Sequence, residues 1–188
     1  RTRKTLKALD SVCDAIGGVV QRRCSGGGMM ETFSCAGRNP ITLEVFHGYG
    51  HVGDLRSPRL VGHSLTRRRW RYLQRAECIV VGERSRLLGL AAYLRVESVV
   101  RVVHEFLVHR ELGERESAIV TDMLAAAVEA NALSDSVHCL MFMLWPDVRR
   151  EPFERREYRT VVLDPYLAWL QKTLDQGSCT GARSQHFH

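Results

Sequence analysis

VVRVVHEFLVHRELGERESAIVTDMLAAAVEAN, residues 99–131, decides the fold. Val99 to Val108 is dominated by β-branched and aromatic side chains and reads as a strand. A charged turn with one glycine, Gly113, follows. From about Ser117 to Asn131 apolar residues recur at helical spacing, with Ile119, Met123, Ala126 and Ala130 on one stripe and Val120, Leu124, Ala127 and Val128 beside it. A stripe that wide belongs against a sheet. A helix opening straight after a strand offers unpaired N–H groups and a positive dipole end, which suit a phosphate-bearing ligand. The stretch is equally consistent with an ordinary strand-turn-helix unit that binds nothing.

Working outward, Cys78–Val81, Leu87–Val96 and Val99–Val108 read as three strands joined by Glu83-Arg84-Ser85 and Glu97-Ser98. Connections that short imply an antiparallel meander. Beyond the helix, Val137 to Trp145 is apolar on both faces, as a central strand covered on each side would be, and Pro146 ends it. The charged stretch from Asp147 to Glu157 is expected to hold a short helix around Phe153, and Tyr158 to Leu163 another strand. Asp164-Pro165 then caps a last expected helix through Leu174, with Leu167, Leu170 and Leu174 buried. Residues 176–188 read as a loose tail.

Upstream, residues 4–16 place Leu6, Leu9, Cys13 and Ile16 on one helical face, with a basic face of Arg3, Lys4 and Lys7. Arg22 to Pro40 is glycine-rich and reads as a loop or weak hairpin, Ile41 to Phe46 as a strand, and His47 to Gly53 as a glycine-punctuated loop. Cys24, Cys35, His47 and His51 suggest zinc, but the ten residues between the two cysteines exceed the spacing of a tight zinc knuckle, so no metal is expected. Ser64 to Ala76 reads as a helix capped by Ser64 or Thr66, with Leu65, Tyr72, Leu73 and Ala76 inside. Its outer side carries Arg67, Arg68, Arg69, Arg71 and Arg75 around Trp70, a pattern found both on solvated faces and on nucleic-acid-binding ones.

Composition bounds these readings. The 188 residues suit one domain, taken as residues 1–175, and the 45% hydrophobic and 26% charged content is globular. No apolar run reaches the ~18 to 20 residues of a membrane span, and none follows the basic Arg1–Lys7 stretch as a signal peptide requires. The net charge of +6 rests on 24 arginines against three lysines and favours anionic partners, coenzymes as well as nucleic acids. The six cysteines are widely spaced and read as reduced thiols, which implies a cytoplasmic protein.

The order of elements, three strands, charged turn, long helix, buried strand, short helix and strand, resembles the core of the GNAT superfamily of N-acetyltransferases, from about Ser64 to Val162. The resemblance implies an α/β (α+β) fold with a mixed, mostly antiparallel central sheet flanked by helices. It also implies acetyl-CoA or another acyl-CoA as co-substrate and a primary amine as acceptor. In that family an R/Q-x-x-G-x-G/A turn holds the coenzyme pyrophosphate. With Arg110 as its first residue, Gly113 matches the central glycine but Arg115 replaces the last small residue. With Ala118 as its last residue, Gly113 replaces the arginine and Glu116 the central glycine. A side chain at the close-approach position crowds the pyrophosphate, and Glu114 and Glu116 add negative charge that Arg110 and Arg115 offset. The pantetheine-binding backbone falls on Phe106, Leu107 and Val108. Phe153 to Tyr158 resembles a shortened form of the family's F-Y-E-x-x-G-F/Y segment, with Glu154 in the place of its thiolate-protonating tyrosine and Tyr158 nearby.

Transfer to an amine needs a base, and His104 and Glu105 sit on the strand where the family keeps one. Successive strand residues face opposite sides, so one of them points to the cleft unless a bulge re-aims the chain. Glu105 is the favoured base, on the face expected to include Val103 and Leu107. Both residues also suit the sheet interior as satisfied polar groups. A nucleophile built from Cys139 with His138 or His104 is disfavoured, because neighbours on a strand point apart. His47, Tyr49 and His51 are expected on the acceptor side. The competing reading is a non-catalytic GNAT-like module binding nucleic acid or an acidic protein through the arginine helix. The sequence leaves the oligomeric state open.

Overall fold

Near-continuous apolar runs in the central strands give a sheet buried on both faces at its middle. The computed structural model of the chain describes residues 18–25, 28–35, 41–83, 86–95, 98–163 and 165–174. Nine strands form one sheet in the order β1 (Gly18–Ser25), β2 (Gly28–Cys35), β3 (Ile41–His51), β6 (Glu77–Glu83), β7 (Arg86–Arg95), β8 (Val100–Val108), β9 (Cys139–Leu144), β11 (Ala168–Thr173) and β10 (Arg159–Leu163). A separate hairpin pairs β4 (Arg59–Leu60) with β5 (His63–Ser64). Every described pairing in the large sheet is antiparallel except β8 with β9. The expected meander and long helix are both present, and the helix leads into a strand, β9, parallel to β8.

The long helix α2 (Glu114–Ser134) covers β6, β7 and β8 on one face. Its residues Ile119, Val120, Met123 and Leu124 pack there with Ile79, Val81, Ala91, Phe106 and Phe142. On the opposite face Cys78, Val80, Leu90, Ala92 and Leu107 pack under α1 (Arg67–Leu73) and the β4–β5 hairpin. Thr66 caps α1 by accepting a bond from the Arg69 N–H at 3.3 Å. The short helix α3 (Glu151–Arg155) buries Phe153 against Phe106, Phe142 and Tyr158.

Three expectations need correction. Residues 168–173 form strand β11, not a helix: Ala168, Leu170 and Leu174 are buried at alternate positions, and β11 fills the space between β9 and β10. Leu167, Leu170 and Leu174 fit a helical stripe and not one face of a strand, so strand pairing overrode the local pattern. The glycine-punctuated stretch 47–51 continues β3. A Cβ on Gly48 would lie 3.1 Å from Val80 Cγ2, so this glycine serves a close approach between strands and not a turn. Residues 18–25 and 28–35 are antiparallel partners, which is the hairpin alternative of the loop or weak hairpin expected over Arg22 to Pro40. Strand β9 buries Leu140, Phe142 and Leu144 on one face but leaves Met141 and Met143 half-covered on the other.

The expected N-terminal helix, the tail, and the side chains of Cys24, Cys35 and His47 lie outside the described residues. Among the described residues no cluster of three metal-ligating side chains forms, and no helix is long and apolar enough to cross a membrane.

Candidate active site

The site begins with a register shift. Ala92 of β7 pairs with Glu105, but the next residue, Tyr93, pairs with Val103, so His104 is an extra residue bulged out of β8. The bulge resets the alternation. Val103 and Phe106 point into the core under α2, while His104 and Glu105 both face α1. The exception to one-sided alternation, a bulge, thus applies here, and the expected face is corrected in one respect: Glu105 shares it with Leu107 but not with Val103.

The parallel pairing of β8 with β9 runs from Val100 opposite Cys139 to Val103 opposite Phe142 and stops there. Beyond that rung β8 stays with β7, and β9 stays with β11, so the two strands part and open a cleft. The His109 N–H bonds Leu88 O of β7 at 2.8 Å. Backbone groups alternate in direction along a strand, so those of Phe106 and Val108 point away from β7 into the cleft. Consistently, Val108 O meets the His63 ring at Nε2, 3.0 Å away.

Two adjoining cavities occupy this opening. One, of about 470 Å³, runs along Phe106 to Arg110 to the start of α2 at Ser117 and Thr121. The other, of about 390 Å³, lies towards α1 and is walled by Ser64, Arg69, Glu105 and Trp145. His63, Leu107, Arg110 and Asp147 border both.

Glu105 is 3% exposed and fully engaged. Its Oε1 accepts from Arg69 Nε at 2.5 Å and is also paired with Arg69 Nη2, while Oε2 accepts from Trp145 Nε1 at 3.4 Å. The Arg69 guanidinium lies 4.4 Å above the Trp145 ring, which fixes the arrangement. Burial raises the Glu105 carboxyl above the ordinary carboxylate value, partly opposed by Arg69, Trp145 and His63. His104 is half-buried, edge-on to Tyr72 with ring centroids 6.2 Å apart, and burial lowers its affinity for a proton.

At the other end, Gly113 precedes the first turn of α2, and its N–H donates to Glu116 Oε2 at 3.3 Å. Glu114 pairs with Arg149 at 2.5 Å, from the connection after β9. Arg110, Arg149 and Arg115 thus gather positive charge around a helix start that also carries two glutamates.

Other expected site residues lie elsewhere. Tyr158 is buried among Phe142 and Phe153 under α2 and borders neither cavity, because the strand it precedes lies beyond β9 and β11. Tyr49 and His51 are exposed and border neither cavity. Arg69 turns inward, so the outer face of α1 keeps Arg67, Arg68, Arg71 and Arg75, while Tyr72, expected inside, is 52% exposed. Burial pushes the Cys78 thiol up to about 11, which makes it an inert core residue. The sequence reading passed over His63, Arg69 and Trp145 as site residues. Trp145 was visible as the polar-tipped end of an apolar strand, whereas Arg69 was hidden in an arginine run.

No protein-family model matches the sequence, and no curated protein is significantly similar to it. Solved structures do match. An IAA acetyltransferase from Bacillus cereus ATCC 14579 aligns with a TM-score of 0.55 over 69% of this chain and 99% of that one, at 14% identity. A GNAT family acetyltransferase from Elizabethkingia anophelis with acetyl-CoA bound aligns with a TM-score of 0.52 over 69% of this chain and 98% of that one, at 10% identity. The mixed, mostly antiparallel sheet flanked by helices is therefore a GNAT-like fold.

Proposed function

We propose, starting from this GNAT-like fold, that the protein is an acyltransferase that moves an acetyl or other acyl group from acyl-CoA to a primary amine. One observation carries the proposal: β8 leaves β9 at the His104 bulge, and a buried carboxylate, Glu105, walls the smaller of the two cavities that adjoin there. The larger cavity fits the coenzyme arm, because the backbone groups of Phe106 and Val108 line it without a strand partner on that edge. The N–H groups of the first turn of α2 suit the diphosphate, with Arg110, Arg115 and Arg149 to offset Glu114 and Glu116. The smaller cavity receives the amine.

Glu105 is the general base of this reading. Its raised proton affinity suits it to take the amine's proton through water while Arg69 and Trp145 hold the carboxylate in place. His104, alongside, packs its ring against Tyr72 of α1 and borders neither cavity.

Calorimetric titration with acetyl-CoA, followed by a thiol-release assay with a panel of primary amines, tests the proposal. We expect one site of about micromolar affinity, near −8 kcal/mol, and thiol release that requires the amine. The absence of both binding and thiol release, with acetyl-CoA and with longer acyl-CoAs, would overturn it.

A further inference from the structure

The proposed reaction leaves a thiolate that needs a proton, and neither residue near the expected acid position serves. Glu154 is exposed outside both cavities, and Tyr158 is enclosed in the core. The place to look is the border of the two cavities, because acyl donor and amine must meet there. Four residues border both: His63, Leu107, Arg110 and Asp147. Leu107 has no proton to give, a guanidinium such as that of Arg110 does not release one, and Asp147 as a carboxylate only accepts.

His63 remains, and its setting is built. Val108 O only accepts, so the 3.0 Å contact assigns a hydrogen to His63 Nε2 and leaves Nδ1 as the atom that gains and loses a proton. The hairpin that carries it is anchored by buried Leu60 and Val61. Its turn places Gly62 at φ 78°, where an added Cβ would lie 3.5 Å from His109 Cε1 and 3.6 Å from the Arg110 N. The ring therefore sits on the same β8 carbonyl that flanks the coenzyme cavity, and its charge is felt by Glu105 across the cleft.

We propose that His63 is the general acid, delivering the proton on Nδ1 to the coenzyme sulfur as the C–S bond breaks. This rests on the acyltransferase reading above. The amine lone pair forms the C–N bond, and the electrons of the C–S bond leave on sulfur. Glu105 takes the proton lost by nitrogen, and the His63 imidazolium gives one to the thiolate. Return of the Glu105 proton to His63 through water resets both groups, and the products are an amide and a thiol.

The test compares the full chain with His63→Gln and His63→Ala variants. Glutamine keeps an N–H donor for Val108 O but has no ionisable proton. The expected result is a kcat about 100-fold lower in both, at the low end of what general acid–base catalysis contributes, with acetyl-CoA affinity within about twofold of wild type. Added imidazole is expected to restore much of the His63→Ala loss. A His63→Gln kcat within about twofold of wild type would overturn the proposal, since general-acid loss costs far more. So would a loss that follows weakened acetyl-CoA binding and is not rescued by imidazole, which marks a residue that only holds the hairpin. Wild-type protein that binds no acetyl-CoA overturns the acyltransferase reading itself and His63 with it, and the titration shows this separately.

Discussion

Glu105→Gln is expected to lower kcat/KM for acyl transfer by about 1,000-fold, within the range for loss of a general base. Glutamine matches the shape of glutamate and still accepts one hydrogen bond, so Arg69 keeps a partner. Arg69 is also 32% exposed at its side chain and can turn to water, so the fold tolerates the change. Acetyl-CoA affinity is expected to stay within about twofold, because Glu105 lines the amine-side cavity only. The pH profile separates a base from a structural residue. Burial raises the Glu105 carboxyl, so kcat/KM should rise with pH along a limb displaced above the ordinary carboxylate range, and that limb should vanish in the variant. Activity close to wild type would reduce Glu105 to a partner that holds Arg69 and α1 against the sheet.

Phe142→Ala is expected to destabilise the fold by about 3–5 kcal/mol. Its ring is fully buried, with centroids 4.9 Å from Phe153, 5.2 Å from Tyr158 and 5.6 Å from Phe106. Truncation removes three edge-to-face contacts at once and leaves a cavity between strands whose backbones cannot close over it. At this chain length the loss corresponds to roughly 10 °C in Tm. The position has a second consequence, because Phe142 lies opposite Val103 on the last rung joining β8 to β9. Loosening that rung is expected to blur the point where the strands part. Urea unfolding followed by tryptophan fluorescence gives the stability, and a change below about 1 kcal/mol would show that the aromatic cluster does not hold the two strands together.

The central meander and α2 were legible because local pattern and tertiary role agree there. Strands β6 to β8 are apolar runs joined by short connections, and α2 carries a stripe that only a sheet can cover. Strand β11 was not legible, since Leu167, Leu170 and Leu174 stand at helical spacing, whereas pairing between β9 and β10 buries Ala168, Leu170 and Leu174 instead. Of the site, His104 and Glu105 were found as residues, but the bulge that turns both to one face follows from the register with β7, which the β8 sequence does not encode. Arg69 illustrates a related limit. One arginine among five turns inward because Glu105, 36 positions away in sequence, waits under it. His63 lies on a strand of two residues, too short to show any period.

The proposed acyl-CoA site lies where β8 and β9 part. Amide hydrogen exchange with and without acetyl-CoA tests this most directly, because it reads the β8 edge itself. The account predicts slower exchange of the Phe106 and Val108 amides and of the first turn of α2 from Glu114 to Ser117, with α1 unchanged. Unaltered exchange at Phe106 and Val108 in the presence of saturating acetyl-CoA, or protection confined to the arginines of α1, would contradict it.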